Sequence, residues 1–178
     1  MAKTSKAAPA KTKKQATPDG NEANIGISER NKQAVAADLN KLLSDEFVLY
    51  VKTRKFHWNV EGSQFHDLHL FFEKQYDELA DIIDEVAERI RKIGHYALGA
   101  MQHYLKEASL LESLDNETTA TEMLQELLDD HDTVIREMRE LIGKFDGTYK
   151  DAGSADFITG LVEKHETMAW MLRATAKK

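Results

Sequence analysis

The chain has 178 residues, no cysteine and two prolines, Pro9 and Pro18, both within the first 18 positions. Residues 1–24 carry five lysines against Asp19 and Glu22, a net +3, and the remaining 19 basic and 29 acidic residues give the rest of the chain −10. Without thiols a disulfide framework, a zinc ribbon and thiol catalysis are excluded. No apolar run approaches the roughly 20 residues that cross a bilayer, and no apolar segment follows the N-terminal lysines as in a secretory signal, so the expected compartment is the cytosol, with no membrane partner.

Residues 1–24 are rich in Ala, Lys, Thr and Pro and hold no Leu, Val, Ile or aromatic residue. Such a segment buries too little apolar area to offset its ordering entropy, so it is read as a disordered basic tail. Residues 25–178 are read as one all-α domain, because the apolar period is helical throughout and no segment alternates like a strand.

The first helix is predicted from Ser28, its N-cap, to about His57, with Val35, Leu39, Leu42, Leu43, Phe47, Tyr50 and Val51 on one stripe. After the break at Gly62-Ser63 the second runs from about Gln64 to Ile93. A looser connection from Gly94 to Glu117 contains Met101, Tyr104 and Leu105, the pattern of a short helix. The third long helix is placed at about Thr119–Lys144 and the fourth at about Ser154–Ala176. Four helices near 25 residues with one long crossover between the second and third indicate a four-helix bundle.

The second helix carries the chemistry. His69 and Glu73 are four residues apart, as are Asp84 and Glu88, so each pair lies on one helix face at a spacing that can grip one cation. From Glu73 to Asp84 the helix makes three turns plus roughly 20°, so the pairs share that face, roughly 16 Å apart along the axis. One ion cannot bind both pairs of one helix. Either there are two weak sites, or a second copy of the helix completes the first. The stripe is symmetric about position 78.5, so two copies antiparallel across a twofold axis would bring His69 and Glu73 of one chain to Asp84 and Glu88 of the other. His57, 12 residues before His69, is placed to add a second imidazole. The bland alternative is a solvated acidic face.

The motif His57-Trp58-Asn59, followed by ligand-type residues 12, 16, 27 and 31 positions after its histidine, resembles the Dps proteins, the mini-ferritins. The resemblance spans roughly residues 28–176. It implies a ferritin-like subunit assembling into a hollow homo-dodecamer that oxidises Fe(II), preferring hydrogen peroxide to dioxygen, and stores Fe(III) mineral. It further implies a ferroxidase centre at the twofold interface, with His57, His69 and Glu73 from one subunit and Asp84 and Glu88 from its partner. Position 73 is Asp in many members, so the longer Glu73 puts metal spacing in question. None of the seven histidines has Glu three residues before it, which disfavours the within-subunit di-iron site of classical ferritins.

Other residues have plainer readings. His131 and His165 lie on apolar stripes and read as hydrogen-bonded core residues; His66 reads as a surface or supporting residue, and His95 and His103 fit no ligand pattern. Trp58 reads as core, with electron donation to the centre as the alternative. By family resemblance, Asp146, Asp151 and Asp156 would line threefold pores drawing Fe(II) inward, although Asp151 or Ser154 would equally serve as helix caps. Asp129, Asp130 and Asp132 form another acidic cluster near a helix end. Lys3, Lys6, Lys11, Lys13 and Lys14 are the candidate contacts to DNA phosphates, their +3 multiplied by twelve copies. The rivals are a non-enzymatic DNA-compacting protein and an iron-storage cage that ignores DNA.

Overall fold

The computed structural model describes residues 23–116 and 118–177. The predicted tail, apart from its last two residues, and with it Lys3, Lys6, Lys11, Lys13 and Lys14, lies outside them. The described residues form five helices and no strand: α1 Glu29–Asn59, α2 Phe65–Lys92, α3 Met101–Glu107, α4 Ala120–Gly147 and α5 Ala152–Ala176. The long helices pair as hairpins, α1 with α2 and α4 with α5, and α3 lies against α1. This is a four-helix bundle with one long crossover that carries a short helix of its own. No described helix is long and apolar enough to cross a membrane.

Local chemistry sets the helix starts. The Ser28 hydroxyl accepts from Asn31 N at 3.3 Å, and Thr119 and Glu122 form a reciprocal capping box. The last helix begins two residues earlier than its apolar stripe indicates, because Asp151 caps it, accepting from Ser154 N at 2.9 Å. At the other end of the first hairpin, Gly94 has φ +94°, and a Cβ there would lie 3.1 Å from the Ala23 Cβ. The segment entering α1 therefore sits directly on the end of α2.

The core follows the periodicity. Leu39, Leu43, Leu49 and Phe56 of α1 and Phe72, Leu79, Ile82 and Ile90 of α2 meet Leu127 and Met138 of α4 and Ile158 and Leu172 of α5, all buried. Each such side chain contributes about 1.5–3 kcal/mol through burial. One cluster of polar groups lies fully buried in the middle of the core. His131 Nδ1 lies 3.0 Å from His165 Nδ1, and His165 Nε2 lies 3.1 Å from Glu46 Oε1, with all three residues fully buried. Burial, and then the neighbouring His165, hold the His131 pKa well below its usual value, so His131 is neutral. Both histidines are core residues, as their apolar stripes indicate.

Two expectations are corrected. Trp58 is 62 % exposed in the subunit, because His57 takes the inward position of that turn and the next residue points away. Asp151 is only 2 % exposed, accepts hydrogen bonds from Ser154 and pairs with Arg89 at 3.2 Å. A carboxylate so engaged is a helix cap and does not line a pore. The cluster at 129–132 is largely committed inside the subunit too: Asp130 pairs with Lys52 at 2.7 Å, Asp132 with Arg173 at 2.9 Å, and Asp129 accepts from Gln125.

Candidate metal centre

The end of α1 and the start of α2 are joined by a short turn, so His57 and His69 face each other across the hairpin. Their rings stack with centroids 3.7 Å apart and planes 20° from parallel. Each ring is held by the other residue's backbone: His57 Nδ1 lies 2.7 Å from the His69 carbonyl oxygen, and His69 Nδ1 lies 2.8 Å from the His57 carbonyl oxygen. A carbonyl oxygen only accepts, so both Nδ1 atoms carry the proton and donate. In the neutral ring that leaves the lone pair on Nε2, the form in which imidazole binds a metal. The crossed pair therefore fixes two tautomers and two ring orientations together.

Glu73 lies one turn further along α2 from His69 and is partly exposed. Tyr76 donates to Glu73 Oε1 at 3.4 Å and sets its ring edge against His57, with centroids 5.2 Å apart. Burial, followed by the charges of Glu73 and Asp77, raises the Tyr76 pKa, so the phenol stays protonated and available as a donor. Phe65 covers the other side of His69, at 5.2 Å between centroids. The centre thus has an aromatic wall on the subunit side. His66 is exposed nearby.

Asp84 and Glu88 lie on the same helix further toward its C-terminus, both exposed. Glu88 is paired with Lys92 at 2.8 Å, which holds its carboxyl below the usual value. Among the described residues of one chain, no three His, Asp or Glu side chains come together to hold a metal ion. The structure brings His57, His69 and Glu73 to one end of the stripe and leaves Asp84 and Glu88 at the other, as the helical rise requires. Asp146 and Asp156 are exposed, near the turn between α4 and α5.

Sequence spacing pointed to the candidate ligands but not to the groups that orient their side chains in the subunit. The crossed carbonyl bonds depend on how two helix ends meet. Tyr76 and the Arg54 beside it have no sequence signature at all.

The ferritin-like domain family matches residues 36–178. The DNA protection during starvation protein 2 of Bacillus anthracis is 38 % identical over 144 residues, covering 81 % of this chain and 97 % of that protein. A low temperature-induced protein of Nostoc is 42 % identical, covering 85 % of this chain and 84 % of its own. Among solved structures, the Dps protein of Vibrio cholerae, described as a member of the ferritin-like diiron-carboxylate proteins, superposes with a TM-score of 0.82. It is 30 % identical, covering 90 % of this chain and all of its own.

Proposed function

Because the chain belongs to the ferritin-like family, among its Dps proteins, we propose that it oxidises Fe(II) at centres shared between twofold-related subunits of a hollow dodecamer and stores the Fe(III) as mineral. In this reading His57, His69 and Glu73 of one subunit and Asp84 and Glu88 of its partner form each centre. The observation that carries it is the crossed pair of Nδ1 hydrogen bonds, which leaves an Nε2 lone pair on each of two stacked rings. Side chains merely filling a surface have no need of that arrangement.

The donor set suits the substrate. Imidazole nitrogens bind Fe(II) well enough to collect it, and carboxylates favour the harder Fe(III), so the mixture assists oxidation and lets the product leave. Two Fe(II) supply the two electrons that reduce one hydrogen peroxide, with two protons, to two waters, and no hydroxyl radical is released. Peroxide is the preferred oxidant in this reading, with dioxygen the slower one. Lys92 must release Glu88 when the partner's half-site arrives, since that carboxylate cannot serve both fully. Asp146 and Asp156 are proposed to draw Fe(II) toward the interior through threefold pores.

Stopped-flow oxidation of Fe(II) by peroxide tests this. The protein accelerates it, and the double substitution His57→Ala/His69→Ala returns it to the buffer rate. A wild-type rate equal to buffer contradicts the proposal and favours a purely DNA-compacting protein.

Nonspecific DNA binding is proposed as a second activity, supported by the lysines at 3, 6, 11, 13 and 14 on a body of −10. Twelve such tails give avidity that one lacks. Deleting residues 1–24 is expected to abolish gel retardation at low salt. Unchanged retardation would leave a binding surface elsewhere, and no retardation by the intact protein would leave an iron-storage cage that ignores DNA.

A further inference from the structure

Glu73 raises a geometric problem that the neighbouring residues answer. A glutamate has one more rotatable bond than an aspartate, so a ligand at this position has more positions to choose from and more freedom to lose when it binds. Among the described residues, its carboxylate has one side-chain hydrogen-bond partner, the phenol of Tyr76. The two residues are three apart on α2, neighbours on the helix surface.

The phenol itself is held on three sides. Its ring edge meets the His57 ring at 80°. The Arg54 guanidinium lies over its face, 4.6 Å from the centroid. The Tyr50 ring stands edge-on to it at 6.2 Å, and Arg54 Nη1 donates to the Tyr50 hydroxyl at 2.6 Å. Arg54 thus ties Tyr50 and Tyr76 together from the α1 side, using a planar cation that can face a ring and hydrogen-bond at once. A ring held in this way keeps its hydroxyl oxygen in one place, within reach of Glu73 Oε1.

We propose that Tyr76, braced by Arg54, is a positioning residue that fixes the Glu73 carboxylate for metal binding and is needed because position 73 is glutamate. The inference rests on the proposed metal centre and adds a dependence to it. At 3.4 Å the bond is already long, so an aspartate, one methylene shorter, falls out of reach of the phenol. Tyr76 therefore matters in the protein with Glu73 and is dispensable in Glu73→Asp. The aromatic contact with His57 does not depend on the hydroxyl and survives Tyr76→Phe.

The test is anaerobic titration with Co(II) alone, followed through its visible bands, on full-length assembled protein. Four forms are compared: wild type, Tyr76→Phe, Glu73→Asp and the double variant. Tyr76→Phe is expected to weaken binding about 10-fold, the low end of what losing an orienting hydrogen bond at a metal site costs, and to shift the bands. The same change made on top of Glu73→Asp is expected to do neither. Arg54→Gln should reproduce part of the loss and Arg54→Lys should restore little of it, since an ammonium lacks the planar contact. With Fe(II) and peroxide, the Tyr76→Phe loss should fall on KM for Fe(II) more than on kcat. Wild-type affinity and bands in Tyr76→Phe overturn the proposal alone, as does an equal loss in both backgrounds. Co(II) binding by wild type that is indifferent to His57→Ala/His69→Ala overturns the underlying centre and the proposal with it.

Discussion

Two pairs of histidines each bridge two helices of this subunit. His57 and His69 join α1 to α2 at the end of a hairpin, with rings stacked at 3.7 Å and each Nδ1 given to a backbone carbonyl. His131 and His165 join α4 to α5 in mid-bundle, where Nδ1 faces Nδ1 at 3.0 Å and neither ring meets solvent. The first pair keeps both Nε2 atoms turned away from its own hydrogen bonds. The second turns its Nδ1 atoms on each other, sets His165 Nε2 beside Glu46 and leaves His131 Nε2 buried without a hydrogen-bond partner among the described residues. What an imidazole can do is set by the partner of its other nitrogen and by access to solvent, which residue identity and helical spacing alone do not reveal.

If that contrast is right, the pairs respond oppositely to removal. His57→Ala/His69→Ala should abolish accelerated Fe(II) oxidation while lowering stability by about 1–2 kcal/mol, the net worth of the two hydrogen bonds it removes. His165→Ala should cost about 2–4 kcal/mol, because it opens a core cavity and leaves Glu46 buried without its partner. Whatever His165→Ala protein remains folded should oxidise Fe(II) at the normal rate per centre. Denaturant unfolding beside stopped-flow oxidation separates these outcomes, and a similar stability loss in both variants would break the comparison.

The buried pair also carries a pH dependence of its own. His131 is neutral in the folded chain because burial depresses its pKa, whereas in the unfolded chain it takes up a proton below about 6.5. The unfolded state then binds more protons, so its contribution is intact above pH 6.5 and is lost as pH falls. The loss should be about 1 kcal/mol per subunit between about pH 6.5 and 5.5. Denaturation at those two values measures it, and His131→Phe should remove that component of the slope.

A smaller effect separates the acids of the α4–α5 turn. Asp151→Ala should lower stability by about 1 kcal/mol through loss of the cap and leave iron entry unchanged. Asp146→Asn/Asp156→Asn should leave stability unchanged and slow uptake a few-fold at low salt, a difference that shrinks as ionic strength screens it. Slowed uptake in Asp151→Ala at full stability would return that residue to the pore.

The bundle itself was legible. Period-3.6 stripes located all four long helices, and Met101, Tyr104 and Leu105 marked α3, although only Tyr104 of the three is buried. The start of α5 was blurred because a cap acts from three residues before the amide it satisfies, so Asp151 and Ser154 competed for one role. Glu46 was invisible as a core residue, since Asp45-Glu46 reads like any solvated acidic pair. Trp58 reads as core in the sequence, but its residue type says nothing about the direction it faces, and it is exposed in the subunit. For the proposed centre, spacing supplied the candidate ligands, and the symmetry of the stripe supplied the expectation of a partner. The tautomers and the Tyr76 contact come from tertiary packing and have no sequence period to betray them.

The most direct test of a shared centre is complementation between two inactive subunits. One carries His57→Ala/His69→Ala and the other Asp84→Asn/Glu88→Gln; each alone forms particles with no accelerated Fe(II) oxidation. When the two are refolded together in equal amounts, half of the twofold pairs are mixed, and each mixed pair rebuilds one intact centre from the undamaged half of each subunit. Peroxide-dependent oxidation should return to about a quarter of the wild-type rate. Mixed particles as inactive as either parent would contradict the shared centre.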